Sequence, residues 1–206
     1  IVDRILLSAW HTDRLEYDAV KDLLRNAVEI APNFSLIHSI LGETNLRHAH
    51  QRGNSTSRFH QEAEKSLQLA LKLNPKNRDA LFGMLSYYME RDQTDQALDM
   101  INQYIEDYPE LLEEGYAGRL HYTYGGLYSK KNFRLEAIRA YERSLEPYLP
   151  AIEVWLHLYD FYESSNHLDL ACQTIVKALE AYPSQTAIIR RALRYPDEIK
   201  NEVNLE

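Results

Sequence analysis

The sequence predicts an all-α protein: a right-handed superhelical solenoid of about five helix-turn-helix repeats with a C-terminal capping helix. The first observation is a set of five prolines, spaced by 43, 34, 41 and 33 residues, that each follow an amphipathic stretch: Pro32, Pro75, Pro109, Pro150 and Pro183. The second is a small or branched residue at a fixed distance before each proline, with a large apolar residue four positions later. The third is a set of apolar residues at spacings of three and four upstream of each pair, which indicates another helix.

The second helix of each repeat carries the pair of small and large residues. Residues four apart lie one turn apart on the same face of a helix, so each pair faces one neighbour. The small residues are Val20, Ala63, Ala97, Ala137 and Ala171, and their large partners are Leu24, Leu67, Ile101, Tyr141 and Ile175. A small side chain lets two helices cross closely, and the proline ends the second helix before the next repeat begins.

The first helix of each repeat shows an apolar stripe with helical spacing. Its residues are Leu7 and His11; Leu41, Gly42 and Asn45; Leu81, Met84 and Tyr88; Tyr124, Gly125 and Tyr128; and Trp155, Leu158 and Tyr162. One helix pair cannot bury its own apolar stripe, whereas a row of pairs forms a continuous core.

These motifs resemble the tetratricopeptide repeat, whose signature is Trp-x2-Leu-Gly-x2-Tyr, then Ala-x3-Phe, then Pro over 34 residues. The match is best at 152–185, which stays in register from Trp155 to Pro183 with Tyr159 in place of the glycine. The resemblance implies one domain over residues 1–196. Its repeats are expected at about 1–34, 35–77, 78–111, 118–151 and 152–185, with a capping helix at 185–195 and a polar tail at 197–206.

Two segments need separate expectations. The second repeat has about nine extra residues between its helices, and the polar stretch at 47–61 predicts a longer, exposed and weakly basic loop. In the capping helix, Ile188, Ile189, Ala192 and Leu193 are expected on the packed face, and Arg190, Arg191 and Arg194 on the opposite face.

The composition disfavours several classes of function. A formal net charge of -8 repels a phosphate backbone over most of the surface, so we expect no direct nucleic-acid binding by this segment. No apolar run approaches the length of a membrane span, so no membrane insertion is expected. The single cysteine, Cys172, cannot form an intramolecular disulfide, which favours a cytoplasmic location. The sequence begins with Ile1 and shows no leader, and we expect a fragment of a longer polypeptide.

No motif points to an enzyme, a cofactor or a metal. His48 and His50 form a His-x-His motif near His60, but no Cys, Asp or Glu nearby completes a ligand set, so an exposed loop is the favoured interpretation. Cys172 follows the small residue Ala171 on an interior helix and has no identified histidine partner, so a buried thiol is expected rather than a nucleophile. We therefore expect no catalytic residue, no cofactor and no metal.

The resemblance also implies a partner-binding groove, because the first helices of such repeats line the concave face of the superhelix. The groove residues that it implies are Leu36, Ser39 and Glu43; Phe82, Ser86 and Met89; Arg119 and Tyr122; and Leu156, Asp160 and Glu163. Members that grip a C-terminal carboxylate carry Lys and Asn at fixed inward positions, and Ser39, Glu43, Phe82 and Ser86 stand there instead, which disfavours that mode. Aromatic and Met side chains dominate recognition surfaces, so a groove for a protein or peptide segment is expected.

A narrower resemblance concerns residues 8–48 and the enlarged loop that follows them. They look like repeat regions found downstream of winged-helix DNA-binding domains or cyclase domains in bacterial regulators, where the repeats receive a signal or a partner. The expected function is therefore a protein-interaction module, the regulatory or scaffolding part of a transcriptional or signalling regulator. The alternative is a sensing domain that encloses a small ligand or short peptide among Phe82, Tyr122 and Leu156. The sequence leaves the partner and the oligomeric state open.

Overall fold

The computed structural model describes residues 17–51, 57–112, 116–145 and 152–194. The regular structure in these ranges is helical throughout, which confirms the all-α class. The helices are α1 (Tyr17–Ile30), α2 (Ser35–Gln51), α3 (Ser57–Leu73), α4 (Arg78–Glu90), α5 (Thr94–Asp107), α6 (Ala117–Lys130), α7 (Arg134–Ser144), α8 (Ile152–Ser164), α9 (Leu168–Ala181) and α10 (Thr186–Ala192). A 3-10 turn, Pro109–Leu112, follows α5. The chain divides into two compact units, Ile1–Gln103 and Tyr104–Glu206.

The first unit is built around α2, which packs against α1, α3 and α4. Each of these helices buries an apolar stripe on its neighbours, as helices of a repeat must because none can form a core alone. The buried side chains form two clusters, which comprise Val20, Leu24, Ala27, Ile37 and Ile40, and then Leu46, Ala63, Leu67, Ala70, Ala80, Met84 and Tyr87.

The second unit is a row of helices in chain order: α6 packs on α7, α7 on α8, α8 on α9, and α9 on α10. The small residues that the sequence marks on α7 and α9, Ala137 and Ala171, are completely buried. The core of this unit includes Ala137, Tyr141, Val154, Leu158, Tyr159, Tyr162, Ala171, Ile175, Ala178 and Ile188.

The turn between the two helices of a pair has the same geometry at three places. Asp92, Asn132 and Asn166 occupy the left-handed region, with φ of 58°, 60° and 59°. The next amide donates to the carbonyl five residues earlier, at 2.8 Å from Gln93 to Tyr88, 2.9 Å from Phe133 to Tyr128, and 2.8 Å from His167 to Tyr162. This bond is the signature of the Schellman motif that ends a helix. The three turns therefore close equivalent helix pairs, directly after the tyrosines that the sequence places near the ends of first helices.

Glycines let helices cross closely at two of the predicted positions. A Cβ atom at Gly42 would lie 2.5 Å from Cγ of Leu67, and one at Gly125 would lie 2.5 Å from Cδ1 of Tyr141. Leu67 and Tyr141 are the large residues predicted for the second helices. Their side chains fill the space that each glycine leaves open, which explains the small-and-large pattern of the sequence.

The predicted exposed loop at 47–61 is wrong for most of its length. Helix α2 continues to Gln51 and α3 begins at Ser57, and residues 52–56 lie outside the described residues. His48 and His60, expected on a loop, are buried, whereas His50 is exposed. The additional residues lengthen the two helices, because His48 can then stack on the ring of Tyr17, with 3.6 Å between ring centres.

The predicted packing of α10 is correct for one apolar pair and wrong for the other. Ile188 and Ala192 are buried, but Ile189 is 37% exposed and Leu193 is 70% exposed. Successive residues of a helix are rotated by about 100°, so the two pairs form separate stripes. The main helix-to-helix contact of α10 is with α9, and it buries only one of these stripes.

Several predicted features lie outside the described residues, namely Leu7, His11, Pro150 and the tail at 197–206. In the part of the chain that the structure describes, none of the helices combines the length and apolar character of a membrane span. Cys172 is buried, as the sequence predicts.

Candidate functional site

The best-defined candidate site lies on α6 and α8, the first helices of the two pairs in the second unit. Tyr122 of α6 and Leu156 of α8 are half-buried, and Arg119 of α6 is exposed. Together with Asp160 and Glu163 of α8, these residues form what we call the α6/α8 surface. It contains all five of the groove residues that the sequence predicts in this unit.

Aromatic contacts hold Tyr122 in place while leaving part of its side chain exposed. Its ring centre lies 5.8 Å from that of Tyr141 and 6.2 Å from that of His157. Tyr141 in turn stacks on His157 at 5.2 Å and contacts Phe161 at 6.0 Å. Pairs at such distances are favourable beyond their buried area. Tyr122 is therefore a pre-positioned aromatic side chain rather than a freely rotating one.

His157 is a part of this site that the sequence analysis missed. It is exposed, and it does not stand at any position of the repeat signature. Its ring contacts join α8 to α6 and α7, so they depend on how the helices pack and leave no local pattern in the sequence.

Burial and nearby charges determine the protonation of two side chains on α6. Burial raises the pKa of Tyr122, and the carboxylate of Glu153 raises it further. Burial lowers the pKa of His121, and the positive charge of Arg143 adds to this effect. Both shifts favour the uncharged form. At neutral pH the phenol of Tyr122 thus offers an apolar ring with a polar hydroxyl.

Asp160 and Glu163, the two acidic residues of the α6/α8 surface, form ion pairs with α10. Arg191 donates from Nη2 to Oδ1 and Oδ2 of Asp160 at 3.1 and 3.2 Å, and from Nε to Oδ1 at 3.2 Å. Arg194 donates from Nη1 to Oε1 and Oε2 of Glu163 at 3.1 and 3.3 Å. The sequence predicts these arginines on the open face of α10, but it does not predict their partners on α8.

Tyr159, which replaces the glycine of the repeat signature, explains the position of this ion-pair network. Its side chain is fully buried, and its hydroxyl donates to Oε1 of Glu163 at 2.5 Å. The guanidinium of Arg191 lies over its ring, 5.4 Å from the centre. Such a cation–π contact adds to the attraction of Asp160 for Arg191. The departure from the signature therefore creates an attachment point for α10.

The predicted groove residues of the first unit are divided between its surface and its core. Ser86 is exposed, and Leu36, Glu43 and Met89 are half-buried. The remaining two are Ser39, at 0% exposure, and Phe82, at 5% exposure. Ser39 donates its hydroxyl to the carbonyl of Leu36 at 2.9 Å, so that group already has a partner. Neither of these two side chains presents a contact area to a partner in this structure.

A second aromatic and charged cluster lies in the first unit, between α1, α2 and α3. The rings of Tyr17, His48 and Phe59 contact one another, and the ammonium of Lys21 lies 5.3 Å from the ring centre of Tyr17. Lys21 donates to the carboxylate of Glu62. Burial disfavours the Lys21 ammonium, but the hydrogen bonds to Glu62 and Tyr17 outweigh burial and raise its pKa. These groups satisfy one another, which is typical of packing between helices.

The histidines of the predicted His-x-His segment have different environments. Nε2 of His60 lies 3.2 Å from Oε2 of Glu90, while His48 takes part in the ring cluster. Over the described ranges, no group of three His, Cys, Asp or Glu residues has a geometry that could hold a metal ion.

Several solved structures resemble this chain. TTC0263, a thermophilic TPR protein of Thermus thermophilus, is 22% identical, with a TM-score of 0.63 over 85% of this chain and 89% of that one. MamA from Desulfovibrio magneticus RS-1, solved from residue 41 to the end, is 17% identical, with a TM-score of 0.62 over 89% and 96%. YrrB, a TPR protein with an unusual peptide-binding site, is 15% identical, with a TM-score of 0.57 over 90% and 86%.

No protein-family model matches the sequence, and no curated protein matches it. The likeness to solved structures concerns the fold. Together with the equivalent turns and the close helix crossings, it shows that this chain has the tetratricopeptide repeat fold, an all-α solenoid of helix pairs.

Proposed function

We propose that the chain is a protein-interaction module that binds a segment of a partner protein on the α6/α8 surface. TPR-fold neighbours support a binding role, and YrrB among them carries a peptide-binding site. In this proposal the site is non-enzymatic, and it acts by affinity and specificity alone.

The observation that carries the proposal is the state of Tyr122. Its ring is held by Tyr141 and His157, while its side chain is half-buried and its phenol uncharged. A partner that contacts this ring loses little side-chain entropy from the chain, and aromatic side chains fixed in this way are frequent hot spots. Leu156 and Arg119 add an apolar and a basic contact within the same unit.

The residues of the first unit extend the proposal to a second surface. Ser86, Leu36, Glu43 and Met89 are at least partly exposed, and we propose them as further contacts for the partner. Ser39 and Phe82 support the helices beneath such a surface, because both are buried.

The wider context is proposed from the sequence resemblance of residues 8–48. We propose that the module is the regulatory or scaffolding part of a bacterial transcriptional or signalling regulator, and that it acts in the cytoplasm. We propose no direct contact with nucleic acid, since the net charge of -8 opposes it. A small-ligand sensing domain ranks second, because no separate observation favours it.

The test is affinity capture by the immobilised chain, followed by identification of the retained proteins and measurement of their affinity. For a genuine partner, Tyr122→Ala weakens binding by at least tenfold, because truncation of an aromatic hot spot costs about 2 kcal/mol or more. The matched control is Phe133→Ala, which removes another partly exposed aromatic ring of the same unit, at a turn between helices. Equal loss in both variants, or no loss in either, would refute the α6/α8 surface as the binding site.

A further inference from the structure

Helix α10 is held on the second unit by few contacts. It contains seven residues, a length at which an isolated helix is unstable in water. Its apolar anchors are Ile188 and Ala192, which enter the buried cluster that also contains Val176 and Leu179 of α9. Ile189 and Leu193 remain exposed. The helix therefore depends on the surface of the unit for its stability and contributes only two side chains to the core.

The remaining anchors of α10 are ionic and lie at the surface. Arg191 and Arg194 pair with Asp160 and Glu163, and in each pair at least one side chain is more than half exposed. Ion pairs of this kind stabilise a protein little, because water and salt screen them. A segment with such anchors opens locally at much lower free energy than the core. Opening uncovers an apolar patch on α9 beside two carboxylates on α8.

From this arrangement we infer that the surface beneath α10 is a docking site for an amphipathic helix of a partner protein, and that α10 occupies the site in the unbound chain. The chemistry of the partner helix follows from the occupant seen here. Two apolar residues four positions apart fill the place of Ile188 and Ala192. Two arginines, three and six positions after the first apolar residue, pair with Asp160 and Glu163. This inference rests on the proposed function, since both carboxylates belong to the α6/α8 surface.

Competition with α10 regulates the binding of such a helix. The tether keeps α10 close to its site at an effective concentration that is of the order of millimolar for short flexible links. A partner helix must therefore bind more tightly than α10 or be present at a high local concentration. Variants that weaken the two arginine pairs make the site more accessible without altering the site itself.

A fluorescent peptide of residues 184–194 serves as the probe and is titrated into the full chain. In the chain with Arg191→Glu and Arg194→Glu, the peptide is expected to bind at least tenfold more tightly than in the original chain, because the competing helix is weakened. Adding Asp160→Asn and Glu163→Gln to that chain is expected to reverse the gain. The matched control is Arg190→Glu, which changes an exposed arginine of the same helix and leaves the peptide affinity as it is in the original chain.

Hydrogen exchange and circular dichroism make the result decisive. The inference predicts faster exchange in α10 of the double variant, with the helix content of the rest of the chain retained. It is overturned by unchanged protection of α10, or by an opened α10 without peptide binding. If the charge reversals unfold the unit, the milder pair Arg191→Gln and Arg194→Gln replaces them, with the same expected direction. Tyr122→Ala leaves the peptide affinity unchanged, so a failure here is distinct from a failure of the proposed function.

Discussion

At the scale of single residues, Tyr141 connects the core of the second unit to its surface. The side chain is only 2% exposed, it occupies the space that Gly125 leaves open, and it contacts Tyr122 and His157. Its neighbours on several sides prevent the ring from moving away from an added group. A disturbance at Gly125 is therefore expected to reach both the stability of the unit and the position of Tyr122.

The substitution Gly125→Ala tests this connection. The added Cβ would lie 2.5 Å from Cδ1 of Tyr141, so we expect a loss of about 1–3 kcal/mol in the free energy of unfolding. Denaturant unfolding measures this loss. Gly126→Ala is the control, since it lies next in the same helix at a half-exposed position and gains up to about 1 kcal/mol of helix propensity. Equal stability of the two variants would contradict the close crossing.

Buried tyrosines give the second unit a characteristic response to alkaline pH. Burial raises the pKa of Tyr124 and of Tyr141 from about 10 to about 12. The folded chain thus holds the phenolic protons more tightly than the unfolded chain, so the stabilisation is fully present below pH 10 and is lost as the pH rises towards 12. Urea unfolding at a series of pH values should show this decrease, and it should be smaller in Tyr141→Phe. Ultraviolet titration in which every tyrosine of the folded chain ionises near pH 10 would argue against it.

At the scale of helices and turns, much of the arrangement could be predicted from the sequence. Ala63, Ala97, Ala137 and Ala171 are all completely buried, because a helix crossing requires small side chains at one position and the sequence shows them at a regular interval. The prolines and the tyrosines before the turns also mark helix ends where the structure has them. These features depend on local sequence and on a repeated period, which a single sequence displays.

Features that depend on contacts between distant residues could not be predicted in the same way. The first helix around Phe82 is apolar on most sides, with Leu81, Met84 and Leu85 also buried, so its periodicity did not distinguish an exposed face. In α10 two adjacent apolar pairs were equally suited to packing, and only the position of α9 selects Ile188 over Ile189. The pairing of Arg191 with Asp160 joins residues 31 positions apart and has no local signal.

The turns offer a test at this scale. Asn132 and Asn166 adopt positive φ, which costs a residue with an ordinary Cβ about 1–2 kcal/mol and is tolerated by Asn. Asn132→Ala should therefore lower the free energy of unfolding by about 1 kcal/mol, while Asn132→Gly should preserve it or raise it, since Gly accepts this conformation. Thermal unfolding of the two variants side by side measures the difference. The same melting temperature for both would show that the backbone conformation at Asn132 is not what limits this turn.

At the scale of the whole molecule, the chain combines an acidic surface with helices that pack in rows. The net charge of -8 opposes binding to polyanions and favours partners with basic side chains, in agreement with the arginines that already pair with Asp160 and Glu163. In each of the two units the helices bury one face and leave another open. The proposed function uses that open face, with the second helices and their turns as scaffold.

Hydrogen exchange of the full chain, with and without a captured partner, tests this central proposal most directly. We expect the partner to slow exchange in 117–130 and 152–164, the helices that carry Tyr122 and Leu156. Exchange in 134–144 and 168–181 should stay unchanged, because those helices form the opposite layer of each pair. Slowed exchange in the second helices, with α6 and α8 unaffected, would contradict the α6/α8 surface as the site where a partner binds.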